Sequence, residues 1–197
     1  MTTSISLPEP FRRAITQVSG PALAGRTGQR FAGLYAAHAL PANRTLRWHL
    51  QKQIMPGLAL YQELRADGLT QADALDTIAQ IFTLVSAHDR RQMQLLGRLP
   101  FAYLLLRLVI KPTMRQYPAP GWAIEWLENS PQAVRFNMKS CFYHNTLRAY
   151  GAAELTASYC AMDDFVYGEI SPQILWQRTQ TIGRGAELCN FCFARKQ

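Results

Sequence analysis

Residues 116–121 read Gln-Tyr-Pro-Ala-Pro-Gly, and this stretch separates two parts of the chain that differ in hydrophobic periodicity. Two prolines and a glycine this close together mark a turn or loop. Before the stretch, in 46–66 and 70–85, apolar residues recur at the spacing of an amphipathic helix. After it, in 134–140, apolar and polar residues alternate, which is typical of a half-buried strand.

The order of the predicted elements defines the fold class. A helical region at 1–118 is followed by a cysteine-bearing segment at 119–197 whose elements run ββααββ. This order predicts an α+β fold with an antiparallel sheet, packed with the helical region into one globular domain. The predicted helices are 11–18, 31–40, 46–66 (kinked at Pro56–Gly57), 70–85, 101–110, 141–150 and 152–162, and the predicted strands are 122–128, 134–140, 174–182 and 188–193.

The composition is that of a folded globular protein. The 197 residues are 48% hydrophobic and 17% charged, which is too apolar for a disordered chain. The N-terminus has no apolar segment typical of an export signal. The longest apolar run, Phe101–Ile110, is interrupted by Arg107 and is far short of the roughly 20 residues that span a bilayer. We therefore expect a cytoplasmic protein with no membrane partner.

The positive charge is concentrated in the helical region. Residues 1–118 hold 14 Lys/Arg and 6 Asp/Glu, whereas residues 119–197 hold 7 of each, which gives the net charge of +8. A basic region can bind nucleic acid, but the sequence has neither a zinc finger nor another recognisable nucleic-acid module. We expect a solvated, arginine-rich surface and no nucleic-acid partner. A homo-oligomer is left open.

Four cysteines lie in the last third of the chain, at Cys141, Cys160, Cys189 and Cys192. A chain of this size folds without disulfides, and no export signal places it in an oxidising compartment. We therefore expect reduced, unpaired thiols.

Three segments of the C-terminal part carry a family resemblance. They are FNMKSCFY at 136–143, GAAEL at 151–155 with CAMD at 160–163, and RTQTIGRG at 178–185 with CNFCF at 189–193. In order and spacing they resemble the L-2-amino-thiazoline-4-carboxylic acid hydrolase family. One position departs from the family pattern, because Asn190 stands where the family has Asp. The matching positions are Cys141, Tyr143, Cys160, Asp163, Arg178, Thr181, Gly185, Cys189, Phe191 and Phe193.

The resemblance implies a hydrolase that opens a 2-aminothiazoline ring to give a carbamoylated cysteine, or a relative that cleaves a C–N bond in secondary metabolism. The ring carbon between nitrogen and sulfur is an electrophile, so the protein must supply a nucleophile or base, a proton donor and a cation for the substrate carboxylate. The implied catalytic residues are Cys141, Cys160, Asp163 and Cys189, and the implied substrate-binding residues are Tyr143, Arg178 and Thr181.

Cys141 is the first choice for the nucleophile. It precedes the predicted helix at 141–150, and the dipole at a helix N-terminus lowers the pKa of a thiol. Asp163 and Asp164 are adjacent, so only one of them is expected to face a pocket. The candidate residues are expected to converge between the sheet and the 141–150 helix.

Other interpretations remain. The thiols could be packed as small hydrophobic groups, since free cysteines are among the most buried residues. We expect either no cofactor or a single divalent metal, zinc or manganese, whose ligands would be Cys141, Cys160, Cys189 and Asp163. Cys189 and Cys192 have the spacing of a zinc pair, but a strand places them on opposite faces.

The main functional alternative is a small-molecule- or metal-binding module without turnover, because the cysteine segment also resembles vinyl-reductase-type domains. His144 could share a helix face with Cys141 but is off the family pattern. The other histidines, at 38, 49 and 88, are assigned no role, and Trp122, Trp126 and Trp176 are expected in the core or a pocket wall.

Overall fold

The computed structural model describes residues 5–196, and its first part is helical as predicted. Thr70 caps the longest helix as expected, because its hydroxyl accepts the backbone N–H of Asp73. The helices of this part are α1 (Glu9–Ser19), α2 (Pro21–Ala37), α3 (Arg44–His49), α4 (Met55–Ala66), α5 (Gln71–Gly97) and α6 (Ala102–Thr113).

The kink predicted at Pro56–Gly57 takes the form of a π-helical turn at Leu50–Ile54 that joins α3 to α4. Proline has no N–H to donate, and the wider turn accommodates that loss. The Tyr159 hydroxyl donates to the carbonyls of Gln53 and Ile54, at 2.9 and 3.2 Å. A Cβ at Gly57 would lie 2.0 Å from that hydroxyl, so only glycine allows this approach.

The C-terminal part forms the predicted ββααββ order. Strands β1 (Ala123–Asn129) and β2 (Ala133–Ser140) are followed by helices α7 (Phe142–Ala149) and α8 (Thr156–Tyr167). Strands β3 (Ile174–Gln177) and β4 (Cys189–Arg195) complete an antiparallel sheet of order β1-β2-β4-β3. The fold is therefore α+β, as the sequence predicts.

The third strand is shorter than the predicted 174–182. The backbone leaves the sheet after Gln177, and Thr179 and Gln180 donate their N–H groups to a side chain of β4 instead of a neighbouring strand. Residues Ile182–Arg184 then form a 3-10 turn. We call residues 178–188, which join β3 to β4, the covering loop.

The hydrophobic side chains form two clusters. One lies among α1, α2, α4 and α5 and includes Leu155 and Tyr159 from the C-terminal part. The other lies on one face of the sheet, around Phe136 and Phe191, and includes Tyr103 and Ile110 of α6. Each cluster therefore takes residues from both sides of position 118. No helix within residues 5–196 is both long and apolar enough to cross a bilayer.

Candidate active site

The buried guanidinium of Arg178 is the centre of the candidate site. Its side chain is 1% exposed. Nη1 donates to Asp163 Oδ2 at 2.9 Å, and Nη2 lies 2.8 Å from Asp164 Oδ1. The prediction that only one of the two aspartates faces the site is therefore wrong, because the planar fork spans both carboxylates at the end of α8.

The other contacts of Arg178 fix its orientation. Nη2 also donates to the carbonyl of Cys160, and the guanidinium carbon lies 5.5 and 5.3 Å from the ring centroids of Trp176 and Phe191. Burial opposes the charge of Arg178, but the two carboxylates outweigh it, so its pKa is raised. Within the described chain, Arg178 Nε is buried without a hydrogen-bond partner. Both terminal nitrogens are thus engaged by the protein.

Two thiols meet beside this ion pair. Cys160 of α8 and Cys189 of β4 are buried, and the influence of each thiol on the other raises the pKa of Cys160 and lowers that of Cys189. The backbone N–H of Ile182 also donates to Cys189 Sγ, at 3.2 Å. Burial works against a thiolate at Cys189, but the Cys160 thiol and the N–H of Ile182 outweigh it. Cys189 is therefore the thiol of the pair that more readily carries the negative charge.

The covering loop packs closely on the thiol pair. A Cβ at Gly183 would lie 3.0 Å from Cys160 Sγ and 2.9 Å from the backbone carbon of Thr156. The absence of a side chain at position 183 lets the loop approach α8 and bring the N–H of Ile182 to Cys189.

Asn190 holds the other end of the covering loop. Its Oδ1 accepts the backbone N–H groups of Thr179 and Gln180, at 3.0 and 2.7 Å, and its Nδ2 donates to Thr179 Oγ1 at 2.8 Å. An aspartate could accept the same two N–H groups and the threonine O–H. The departure from the family pattern therefore preserves the loop contacts.

Asp163 combines burial by protein with access to solvent. Burial raises its pKa to about 6, although Arg178 acts in the opposite direction. Its side chain is 41% exposed, so water stabilises the charged form and moderates this rise. Trp176 Nε1 donates to the neighbouring Asp164 at 3.1 Å. The two carboxylates thus form the solvent-facing edge of the site.

Cys141 is the N-cap residue of α7, as expected, but its thiol is not activated there. Burial raises its pKa to about 11, and the backbone amides of His144 and Tyr143 offset this only in part. Its side chain makes no capping hydrogen bond in the structure described for 5–196. The lowered pKa expected from the helix dipole is therefore wrong, because desolvation is the larger effect.

The predicted substrate-binding residue Tyr143 contacts His49, which the sequence reasoning left without a role. The Tyr143 hydroxyl lies 3.0 Å from His49 Nδ1, and His49 Nε2 lies 2.8 Å from the carbonyl oxygen of Gln116. A carbonyl only accepts, so Nε2 carries the proton and Nδ1 accepts from the tyrosine. Burial lowers the pKa of His49. In the sequence, His49 lies three residues after the apolar Leu46 and directly before the apolar Leu50. This position among core residues was the signal that could have identified it as buried.

The other residues considered from the sequence are Thr181, His144 and Cys192. Thr181 is buried next to Ile182, and its Oγ1 has no partner among the described residues. His144 Nδ1 lies 3.3 Å from Thr156 Oγ1. Cys192 lies on the opposite face of β4 from Cys189, as predicted, and donates to Gln177 Oε1 at 3.6 Å. All four cysteines are free thiols.

The four side chains considered as metal ligands do not form a metal centre in this structure. Within residues 5–196, no three His, Cys, Asp or Glu side chains are arranged to hold an ion. Asp163 is engaged by Arg178, and Cys189 Sγ accepts the backbone N–H of Ile182.

Two surface cavities lie away from the thiols. One, of about 430 Å³, is lined by Arg26, Arg30 and Glu63 of α2 and α4. The other, of about 300 Å³, lies at the start of α6. Asp163, Arg178 and the backbone of Cys160 meet at the end of α8, next to β4 and the covering loop. The expected convergence with Cys141 between the sheet and α7 stays a prediction.

Comparison with known proteins gives one family and several similar solved structures. The model of the L-2-amino-thiazoline-4-carboxylic acid hydrolase family matches residues 47–193. The chain is similar, at 12% identity and a TM-score of 0.36, to the Fe(II) unliganded H-NOX protein from K. algicida, covering 95% of this chain and 94% of that one. A mutant of that protein matches with the same coverage and TM-score at 11% identity. No curated protein matches the chain.

Proposed function

The chain belongs to the L-2-amino-thiazoline-4-carboxylic acid hydrolase family, and from this membership we propose that it hydrolyses a small carboxylated ring containing C–N and C–S bonds. The observation that carries the proposal is the thiol pair of Cys160 and Cys189 beside the ion pair of Arg178 and Asp163. This cluster combines a nucleophile, a proton donor and a carboxylate, which are the groups that ring opening requires.

Cys189 is the nucleophile in this proposal, in place of Cys141. Its sulfur accepts from the backbone N–H of Ile182, and the neighbouring Cys160 thiol also lowers its pKa, so both favour the thiolate. The Cys141 thiol is held in its neutral form by burial, so it is the weaker nucleophile at neutral pH.

Ring opening proceeds by two additions to the carbon between nitrogen and sulfur. The Cys189 thiolate adds first, and the electron pair of the C=N bond moves to the ring nitrogen. The electron pair on the ring nitrogen then re-forms the C=N double bond as the C–S bond of the ring breaks. The departing ring sulfur takes the proton of the Cys160 thiol. The result is an isothiourea bound to Cys189 and a free substrate thiol.

Water completes the reaction. It adds to the isothiourea carbon, gives one proton to the substrate nitrogen and the other to the Cys160 thiolate, and its oxygen becomes the carbonyl of the carbamoyl group. Expulsion of the Cys189 thiolate restores the enzyme. Asp163 is the carboxylate that relays the proton of water, because it is close to the thiols and open to solvent.

Arg178 positions the carboxylates in this scheme. Its Nη1 and Nη2 already contact protein groups, so only Nε lacks a partner for a substrate carboxylate. The unpartnered Thr181 Oγ1 is a second polar atom available to a bound ring. We propose that substrate enters at the edge formed by Asp163 and Asp164, since that edge faces solvent.

Turnover of L-2-amino-thiazoline-4-carboxylate by the purified protein tests this function. Cleavage of the C–S bond releases one thiol for each ring opened, which a colorimetric thiol reagent counts. The Cys189→Ala variant is the control for background hydrolysis. Tight binding of the ring without any thiol release would instead support the small-molecule-binding module, and release of ammonia without thiol would support C–N cleavage by a relative in secondary metabolism.

A further inference from the structure

A long stretch of the chain contains cations and no carboxylates. Residues 90–124 hold six Lys/Arg and no Asp/Glu. The stretch covers the end of α5, the turn that follows it and the whole of α6. A stretch with charge of one sign is usually a solvated surface, but this one also exposes large apolar side chains.

Six large apolar side chains are exposed along this stretch. Val109 lies on another side of α6 from the remaining five, of which the most exposed, Leu108, has 67% of its surface accessible. Three of them share one side of α6 at helical spacing. The opposite side of α6 packs into the core through Ala102, Tyr103 and Ile110. We call the exposed set the α5–α6 face, and it consists of Leu95, Leu96, Phe101, Leu104 and Leu108.

The turn between the two helices makes this set continuous. The N–H of Leu99 donates to the carbonyl of Leu96 at 3.2 Å, and the N–H of Ala102 donates to the carbonyl of Leu99 at 3.0 Å. These bonds bring the last turn of α5 next to the start of α6. Contiguous exposed apolar surface of this kind marks an interaction site more often than scattered single residues do.

Cations border the α5–α6 face. Arg91, Arg98, Lys111 and Arg115 are exposed. The cavity of about 300 Å³ beside the face is lined by Arg107 as well as by Phe101 and Leu104 of the face itself. Exposed apolar side chains and exposed cations therefore both occur along the end of α5 and along α6.

One cation of the stretch, Arg90, pairs with Glu169 at 2.7 Å, and the exposed Asp89 directly precedes it. The first carboxylates after the stretch pair with cations outside it. Glu125 accepts from Lys139 at 2.7 Å, and Glu128 lies 3.3 Å from Arg135. The surface therefore retains its positive charge.

We propose that the α5–α6 face binds the surface of an anionic lipid bilayer. Leucine and phenylalanine side chains insert into the boundary between headgroups and acyl chains, while the bordering lysine and arginines pair with anionic headgroups. A second copy of the chain fits less well, because the same face on two copies would bring cations against cations. The expectation of no membrane partner rested on the lack of a spanning segment, which surface binding does not require.

Flotation of the full chain with lipid vesicles tests this proposal. The protein is expected to float with vesicles of equal parts phosphatidylcholine and phosphatidylglycerol, and to remain at the bottom with vesicles of phosphatidylcholine alone. Added salt should weaken the binding, because it screens the cations. Failure to bind the anionic vesicles, or equal binding to both compositions, would overturn the proposal.

A matched pair of variants locates the surface. Leu104→Glu combined with Leu108→Glu should abolish flotation, whereas Leu40→Glu, at another exposed leucine outside residues 90–124, should leave it unchanged. Circular dichroism establishes that each variant is folded. If the double variant still floats, or if it only converts a dimer to a monomer in the absence of vesicles, the face binds something other than a bilayer.

Discussion

The backbone N–H of Ile182 points at Cys189 Sγ from 3.2 Å, so a turn of the covering loop supplies a hydrogen-bond donor to a buried thiol. This contact and the thiol of Cys160 favour negative charge on Cys189. The covering loop and Cys160 thus lower the pKa of Cys189, the nucleophile of the proposed reaction.

The pH dependence of turnover should report this arrangement. Because the pKa of Cys189 is lowered, kcat/KM should rise with pH through a value below that of an ordinary thiol, about 8.5. Cys160→Ala removes the S–H donor, so the rise should move to higher pH. A profile of kcat/KM against pH for the two proteins measures the displacement. An identical rise in both would contradict the contact between the thiols as the cause.

Replacements at Asn190 should show whether this residue acts by holding the covering loop in place or by taking part in the reaction. Asn190→Asp keeps the acceptor for Thr179 and Gln180, so turnover should be retained. Asn190→Leu removes the acceptor of two solvent-exposed N–H groups, which water replaces in part, so it should lower the free energy of unfolding by about 1 kcal/mol and also lower turnover. Urea denaturation and the thiol-release assay measure the two effects.

Asn137→Leu is the matched control for that experiment. Asn137 lies opposite Asn190 on β2 and makes a single side-chain hydrogen bond, to Glu125 at 3.3 Å. It should cost less stability than Asn190→Leu and leave turnover unchanged. Equal losses of stability and of turnover in the two leucine variants would mean that Asn190 stabilises the sheet without positioning the covering loop.

Gly183→Ala should disturb the thiol pair through the covering loop. The new Cβ would meet the backbone of Thr156 at 2.9 Å and Cys160 Sγ at 3.0 Å, so the loop must shift away from α8. Turnover should fall, and Cys189 should react faster with iodoacetamide in peptide mapping. Gly25→Ala, in the open on α2, should instead stabilise the protein by about 1 kcal/mol. Unchanged reactivity of Cys189 in the Gly183 variant would contradict the covering role.

Local patterns were enough to predict the fold class. The alternation at 134–140 gave β2, whose buried residues Val134, Phe136 and Met138 face one side, and Thr70 marked the start of α5. The third strand was predicted too long, because its end depends on the Asn190 side chain, which is far away in sequence until the fold forms. Such non-local contacts leave no periodic signal.

For the candidate site, the sequence named residues but did not reveal their contacts. The family resemblance identified Cys160, Cys189, Asp163 and Arg178, which the structure brings together. It did not show that Arg178 spans two carboxylates, nor that burial outweighs the helix dipole at Cys141. The contacts of Arg178 depend on how the covering loop packs against α8, and the pKa of Cys141 depends on how deeply its thiol is desolvated. The spacing of residues along a chain reveals neither.

The central claim, that Cys189 is the nucleophile, is tested most directly by the turnover of Cys189→Ala and Cys141→Ala with L-2-amino-thiazoline-4-carboxylate. Both variants should fold, as checked by circular dichroism and thermal unfolding. The account predicts that Cys189→Ala loses turnover by about three orders of magnitude or more, since no covalent intermediate can form. It predicts that Cys141→Ala keeps most of its rate per folded molecule. Normal turnover by Cys189→Ala, together with its loss in Cys141→Ala, would contradict the account.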